Sequence, residues 1–243
     1  HLPELGRSRY DPLSFPKART SNTSRMDSRA FYDDYVDRQL AVGVNSRHRC
    51  ILEWLGRFGM VAGQDVLEIG SGVGTLTGLL AQAIGPDGSV VGVDLSEKSI
   101  EAARDRLASF SNLDLRAADV LELDLESRFD VVVLPDVLEH IPLELHAGLF
   151  QRIAGWVRPD GFVLLHYPNP LFLEWVHEHR PEQLQEIDQP IYADALMTHA
   201  YAEGLYVDYL ETYSIWIEQG DYVVAVLRPV PASPTFTEVT GPP

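Results

Sequence analysis

Two groups of residues in this 243-residue sequence have types and spacings that could do chemistry. The first is Gly70-Ser71-Gly72-Val73-Gly74, which follows the apolar run Val66-Leu67-Glu68-Ile69. Glycine lacks a Cβ, so such a turn can be tight and a ligand can come close to the backbone. Asp94 ends the next apolar run, 24 residues after Gly70. An acid at the tip of a second strand is placed to accept both hydroxyls of a ribose. The pair therefore orders a ligand, with a nucleoside across two strands and its remaining polar end near the glycines. The second group is His140 and His166, each at the end of an apolar run. Imidazole titrates near neutral pH, which makes it the usual general base.

Two common nucleotide motifs are excluded. A G-x-G-x-x-G fingerprint would need glycine at 75 or 77, and both positions are threonine. No lysine occurs in 66–97 and no G-x-x-x-x-G-K-[ST] occurs anywhere, so a P-loop is out.

The elements that must position these residues follow from periodicity and turn signals. Strands are expected over 65–69, 89–94, 113–116, 129–134, 161–167, 205–212 and 222–227. Helices are expected over 31–40, 46–58, 75–84, 96–110 (capped by Ser96) and 142–157, with more within 170–203. The fold class is α/β, a doubly wound, mostly parallel seven-stranded sheet. The last two strands are joined by about nine residues, too few for a parallel crossover, so they should form an antiparallel C-terminal hairpin. A ligand should sit beyond the carboxyl ends of the strands.

Hydrophobic residues make up 45% and charged residues 23%, an ordinary globular composition able to bury a sizeable core. The net charge is −17, which repels phosphate backbones and anionic lipid and argues against nucleic-acid or membrane partners. The single cysteine, Cys50, permits no internal disulfide and reads as a small core residue; the setting expected is cytoplasmic. Residues 1–25 read as a tag-derived or disordered arm, 26–230 as one domain, and 231–243 as a Pro-rich tail. Within the domain, 30–58 would form lid helices and about 168–190 a substrate-side insertion.

Residues 66–74, Val91 to Asp94, Ala117 to Val120 and Phe129 to His140 together resemble the class I S-adenosylmethionine (SAM)-dependent methyltransferases of small-molecule type, across about 30–228. The resemblance implies their Rossmann-like fold, SAM as cofactor and S-adenosylhomocysteine as product. It implies that Glu68, Gly70, Gly72 and Gly74 wrap the methionine part. Asp94 would hold the ribose, Leu95 would pack on the adenine, and Asp119 would accept its amino group beside Val120. Pro135 and Asp136 would line the sulfonium region. Tyr32 would belong to a mobile lid and Arg47 would reach the methionine carboxylate. Carboxylates suit this ligand, which carries a sulfonium cation.

In that setting His140 and His166 are the two candidate bases, and Tyr167, Asn169, Phe172 and Trp175 the candidate acceptor contacts. The pair His177 and His179 is poorly spaced for a metal on a helix. Asp136 and Glu139 lack the second carboxylate pair of metal-dependent relatives, so no metal is expected. Tyr209, Tyr213 and Trp216 read as packing. The function expected is methyl transfer from SAM to a small-molecule acceptor, O-methylation of a natural product or sugar, by a monomer or homodimer. The alternative is a SAM-binding protein of this fold without methyl transfer, a cyclase or partner subunit. A nicotinamide oxidoreductase is disfavoured by the broken fingerprint.

Overall fold

The computed structural model describes residues 36–185 and 187–233. The arm of 1–25, Tyr32, and positions 234–243 of the tail lie outside the described residues. Helix α1 is described over 36–42, followed by α2 (Ser46–Arg57), β1 (Asp65–Ile69), α3 (Thr75–Ile84), β2 (Ser89–Asp94), α4 (Glu97–Arg106) and β3 (Leu113–Ala117). The chain continues with β4 (Phe129–Pro135), α5 (His146–Trp156), β5 (Val157–Pro168), α6 (Pro170–His179), α7 (Ala193–Ala202), β6 (Leu205–Tyr213) and β7 (Tyr222–Pro229).

The seven strands form one sheet in the order β3-β2-β1-β4-β5-β7-β6. The pairs β1–β2, β1–β4, β2–β3 and β4–β5 are parallel; β7 runs antiparallel to both β5 and β6. The order reverses between β1 and its neighbours β2 and β4, which opens a crevice at the carboxyl ends of those strands. The expected antiparallel end is present.

Strand residues alternate between two cores. Leu67, Ile69, Val132, Leu134, Val163 and Leu165 pack with Leu149, Phe150 and Ile153 of α5 and Leu196 and Ala200 of α7. Val66, Val131, Val133 and Leu164 pack on the other face with Ile51 and Leu55 of α2 and Leu76, Leu80 and Ile84 of α3. Both faces of the sheet are therefore covered, which is why its central strands read as continuous apolar runs rather than alternating ones.

Three boundaries differ from the sequence reading; the helix expected to run to 110 ends at Arg106. The helix expected from residue 142 begins at His146, because Pro142 sits at ψ 134° and a 3₁₀ turn over Leu143–Leu145 intervenes. Strand β5, expected from residue 161, begins at Val157, which pairs with Phe129 before a bulge. The residues from Arg158 to Gly161 loop out and the ladder resumes at Val131 and Phe162. The expected cap on α4 is present, with Ser96 Oγ accepting from the Ser99 N–H at 3.1 Å.

Candidate active site

The turn after β1 needs its glycines. Gly70, Gly72 and Gly74 have φ of 82°, 51° and 77°, a region L side chains rarely adopt. A Cβ on Gly70 would lie 2.1 Å from Val137 Cγ2, and one on Gly72 would meet the Gln39 amide at 3.1 Å. The turn is thus pressed between the residue after β4 and helix α1. Asp94 organises it: Oδ2 accepts from the Gly72 N–H at 2.7 Å and Oδ1 from the Ser96 N–H at 2.9 Å. Arg106 donates to the Val73 carbonyl from below. Asp119 folds its own loop in the same way, accepting from the Leu121 N–H at 2.9 Å.

Glu68 lies beneath this turn, 1% exposed, and accepts from the Thr77 hydroxyl at 2.6 Å. Burial pushes its carboxyl up to about 8, opposed by the Thr77 hydrogen bond and reinforced by Asp94. The folded protein therefore holds this proton above the ordinary 4.5, so the stabilisation is complete below 4.5 and lost as pH climbs toward 8. Melting temperature is expected to fall between pH 5 and pH 8, and Glu68→Gln, which mimics the neutral acid, to flatten that fall. Parallel slopes for the two proteins in differential scanning fluorimetry would remove Glu68 as the cause.

The turn opens onto a cavity of about 1060 Å³. Its nucleoside end is lined by Gly70, Gly72, Asp94, Leu95, Asp119 and Val120. Its middle is lined by Arg47, Glu68, Pro135, Asp136 and Glu139. Its far end is lined by His140, Ile141, Leu145, Phe172, Val176 and Leu184. Ligand pockets run roughly 300–1,000 Å³, so this cavity lies at the large end of that range.

Asp136 is the pivot of the middle section. It is the one non-glycine residue with positive φ (56°) among the described residues, placed where β4 ends. Its Oδ2 meets Arg47 Nη1 of α2 at 2.5 Å, and its Oδ1 meets His166 Nδ1 of β5 at 2.6 Å. Burial raises its pKa, but Arg47 and His166 outweigh that and hold it below the usual carboxylate range. His166 is fully buried; its Nε2 lies 2.7 Å from the Tyr213 hydroxyl and its ring stacks on Tyr222.

His140 sits elsewhere. Its Nδ1 is 2.6 Å from the Ile187 carbonyl and 3.2 Å from Asp188 Oδ1, and its Nε2 is 3.9 Å from Glu139 Oε1. Burial disfavours the imidazolium, but Glu139, Asp188 and the Ile187 carbonyl overcome that and raise it to about 9. The Gln189 N–H also donates to the Glu139 carbonyl at 2.9 Å, and the Gln189 amide to the Ile141 carbonyl at 3.0 Å. His177 of α6 meets the Asp188 carbonyl at 2.6 Å. These bonds fasten a strap, described over 183–185 and 187–189, against the cavity.

The structure brings Arg47, Glu68, Gly70, Gly72, Asp94, Leu95, Asp119, Val120, Pro135, Asp136, His140 and Phe172 to one cavity. Gly74 stands just behind it as the N-cap of α3. Four expected contacts lie away from it. Tyr167 points into the α5–α7 core at 1% exposure. Asn169 caps α6, accepting from Leu171 N–H at 3.1 Å and donating to the Gly220 carbonyl at 2.8 Å. Trp175 faces outward, stacked with Phe172, His179 and Arg180. His166 lies behind Asp136, both ring nitrogens engaged. Sequence reasoning missed Gln39 and Val42 of α1, His48 of α2, Tyr222, and the strap residues Leu184, Gln185, Ile187 and Asp188. The one available signal was Asn45-x-x-His48, a capping box in which His48 Nδ1 accepts from the Asn45 N–H. Burial, with Arg47 adjacent, lowers His48 to about 4 and keeps it neutral. Among the described residues no group of three or more His, Cys, Asp or Glu could hold a metal ion.

The sheet order, the three positive-φ glycines and the acid at the tip of β2 give the chain a Rossmann-like methyltransferase fold. Residues 66–161 match a family model described as a methyltransferase domain. The chain is 38% identical over 116 residues to a ubiquinone biosynthesis O-methyltransferase of Bordetella avium, covering 46% of each chain. It is 33% identical over 107 residues to a demethylmenaquinone methyltransferase of Staphylococcus aureus, covering 44% of each. The chain thus spans a little under half the length of these curated relatives. Among solved structures it is similar to the DhpI–S-adenosylhomocysteine complex, with TM-score 0.65 and 21% identity over 87% of this chain and all of that one. It is also similar to a Burkholderia thailandensis 1,6-didemethyltoxoflavin-N1-methyltransferase, with TM-score 0.67 and 18% identity over 90% and 93% of the two chains.

Proposed function

We propose that the protein transfers a methyl group from SAM to the hydroxyl of a small molecule with an apolar body. The observation that carries this reading is one cavity whose lining joins the glycine turn, Asp136 and Glu139 to the apolar side chains Ile141, Phe172, Val176 and Leu184, with His140, Gln185 and Asp188 beside them. The residues suit SAM. The glycine cradle has no room for side chains, and Asp94 stands where ribose hydroxyls would lie. Asp136 puts a carboxylate near a cation, Glu68 offers a neutral acid beside it, and Arg47 faces the same space. SAM supplies an electrophilic methyl. The chain's part is to align it, exclude water and accept a proton.

The apolar lining favours a natural product of quinol or polyketide type over a sugar, and the names of the curated relatives point the same way. Line-up of acceptor and methyl needs the strap in place against the cavity, because it forms part of the wall.

Saturating SAM or S-adenosylhomocysteine is expected to stabilise the folded state by about 2.7 kcal/mol at 100-fold over Kd. For a chain of this size that is a rise of roughly 5–10 °C in Tm. A shift with NAD and none with either SAM or its product would overturn the reading.

A further inference from the structure

We propose that Glu139, rather than either histidine, is the group that takes the proton from the acceptor during methyl transfer. The inference rests on the reading of the cavity as a methyl-transfer site and names its base.

The geometry selects Glu139 by what surrounds each candidate. His166 has no exposure and lies behind Asp136, with one nitrogen on Asp136 and the other on Tyr213. No acceptor in the cavity can reach it. His140 lines the cavity, but its Nδ1 faces two oxygens, Ile187 carbonyl and Asp188 carboxylate, so that nitrogen must carry a proton and donate. A histidine held as a cation between Asp188 and Glu139 has no lone pair to offer. Its work is to hold the strap.

Glu139 is different. It lines the cavity together with Asp136 and His140. It is 1% exposed, yet its Oε2 has no hydrogen-bond partner in the protein. A buried carboxylate oxygen without a partner costs stability, and a ligand hydroxyl in the cavity would satisfy it. The charged and titratable groups facing it come from every neighbouring element: His140 on its own turn, Asp136 from β4, Asp188 from the strap, Tyr167 from β5, Arg47 from α2 and Tyr222 from β7. Burial is the largest influence and pushes its carboxyl up to about 8, where a base is strong enough to matter and still ionises near neutral pH.

The step balances. The acceptor O–H proton passes to Glu139 Oε2 while the acceptor oxygen bonds the methyl carbon. The carbon–sulfur bond breaks and its electron pair stays on sulfur, so the cationic sulfonium becomes the neutral thioether product. Glu139 returns its proton to water after product leaves.

The test compares wild type with Glu139→Gln. Infrared titration of the proteins alone should show protonated-carboxyl absorption from Glu68 and Glu139 that fades as pH rises through about 8, and Glu139→Gln should lose the Glu139 share of it. SAM affinity by calorimetry should be unchanged in the variant, and its melting temperature should not fall below that of wild type. With catechol and hydroquinone as acceptor probes, wild-type turnover should climb with pH through the same range, and Glu139→Gln should lose roughly 10²–10⁴-fold in kcat. Glu139→Asp should recover part of it. Identical infrared titrations, or a variant turning over at the wild-type rate, overturns the inference. A wild type that binds no SAM, or binds it and methylates neither probe, overturns the reading on which the inference rests, and the inference with it.

Discussion

Asp94→Ala is expected to weaken SAM binding about 100-fold. A hydrogen bond to a charged group contributes ~1.5–3 kcal/mol, and roughly 2.8 kcal/mol is a factor of 100 in Kd. The carboxylate would lose its contact with the ribose hydroxyls. It would also release the two backbone N–H groups it now holds, Gly72 at 2.7 Å and Ser96 at 2.9 Å. The first loss acts on binding; the second lets the glycine turn relax out of the shape that binding needs. Asp94→Asn separates them. Its amide oxygen can keep one backbone donor while its NH₂ repels the other, so part of the turn's order survives and the charge does not. Calorimetric titration with SAM should rank wild type above Asn above Ala, with melting temperatures in the same order but more closely spaced. If Asp94→Ala binds SAM as wild type does, the nucleoside does not lie across β1 and β2.

The parts of this site legible in sequence are those fixed by local chain geometry. The Gly70–Gly74 turn is legible because only glycine tolerates three positive φ angles so close together, and Asp94 because it falls where a buried strand must end. The antiparallel final hairpin is legible from a connection too short to cross over. What stays hidden depends on contacts between distant segments. β5 is buried on both faces, with His166 and Tyr167 at 0% and 1% exposure, so alternation cannot say which of the two looks toward the cavity. His140 and Ile187 are 47 residues apart, and nothing local in either announces their bond. For the same reason the strap reads only as an insertion, and Tyr213 only as packing, although its hydroxyl closes the network behind Asp136. In sequence Glu139 is weighed with Asp136 only as a metal ligand; its burial and its unpartnered oxygen exist only once the chain is folded.

Asp136→Ala is expected to be the most destabilising single change at the site, by about 3–5 kcal/mol, because removing one partner of a buried ion pair strands the other. Here it strands Arg47 of α2, 2.5 Å away, and deprives His166 of β5 of its 2.6 Å partner. In a chain of this size the loss corresponds to a fall in Tm of roughly 6–20 °C. Strain works in the opposite direction. A non-glycine residue at φ 56° stores roughly 1–2 kcal/mol, and the ion pairs are what keep Asp136 there. Asp136→Gly removes the same charge but also the strain, so it should melt above Asp136→Ala by that difference. Asp136→Asn, which tolerates the left-handed region and can still accept from His166, should fall between Gly and wild type. The pH dependence checks the electrostatic part. The pKa of Asp136 is depressed on folding, so its contribution is present above the unfolded value near 3.8 and lost as pH falls below it. Wild type and Asp136→Ala should therefore differ most near neutral pH and converge in acid. Equal melting temperatures at pH 7 would mean that α2 is not anchored to the sheet through Asp136, and the donor end of the cavity would lose its fixed wall.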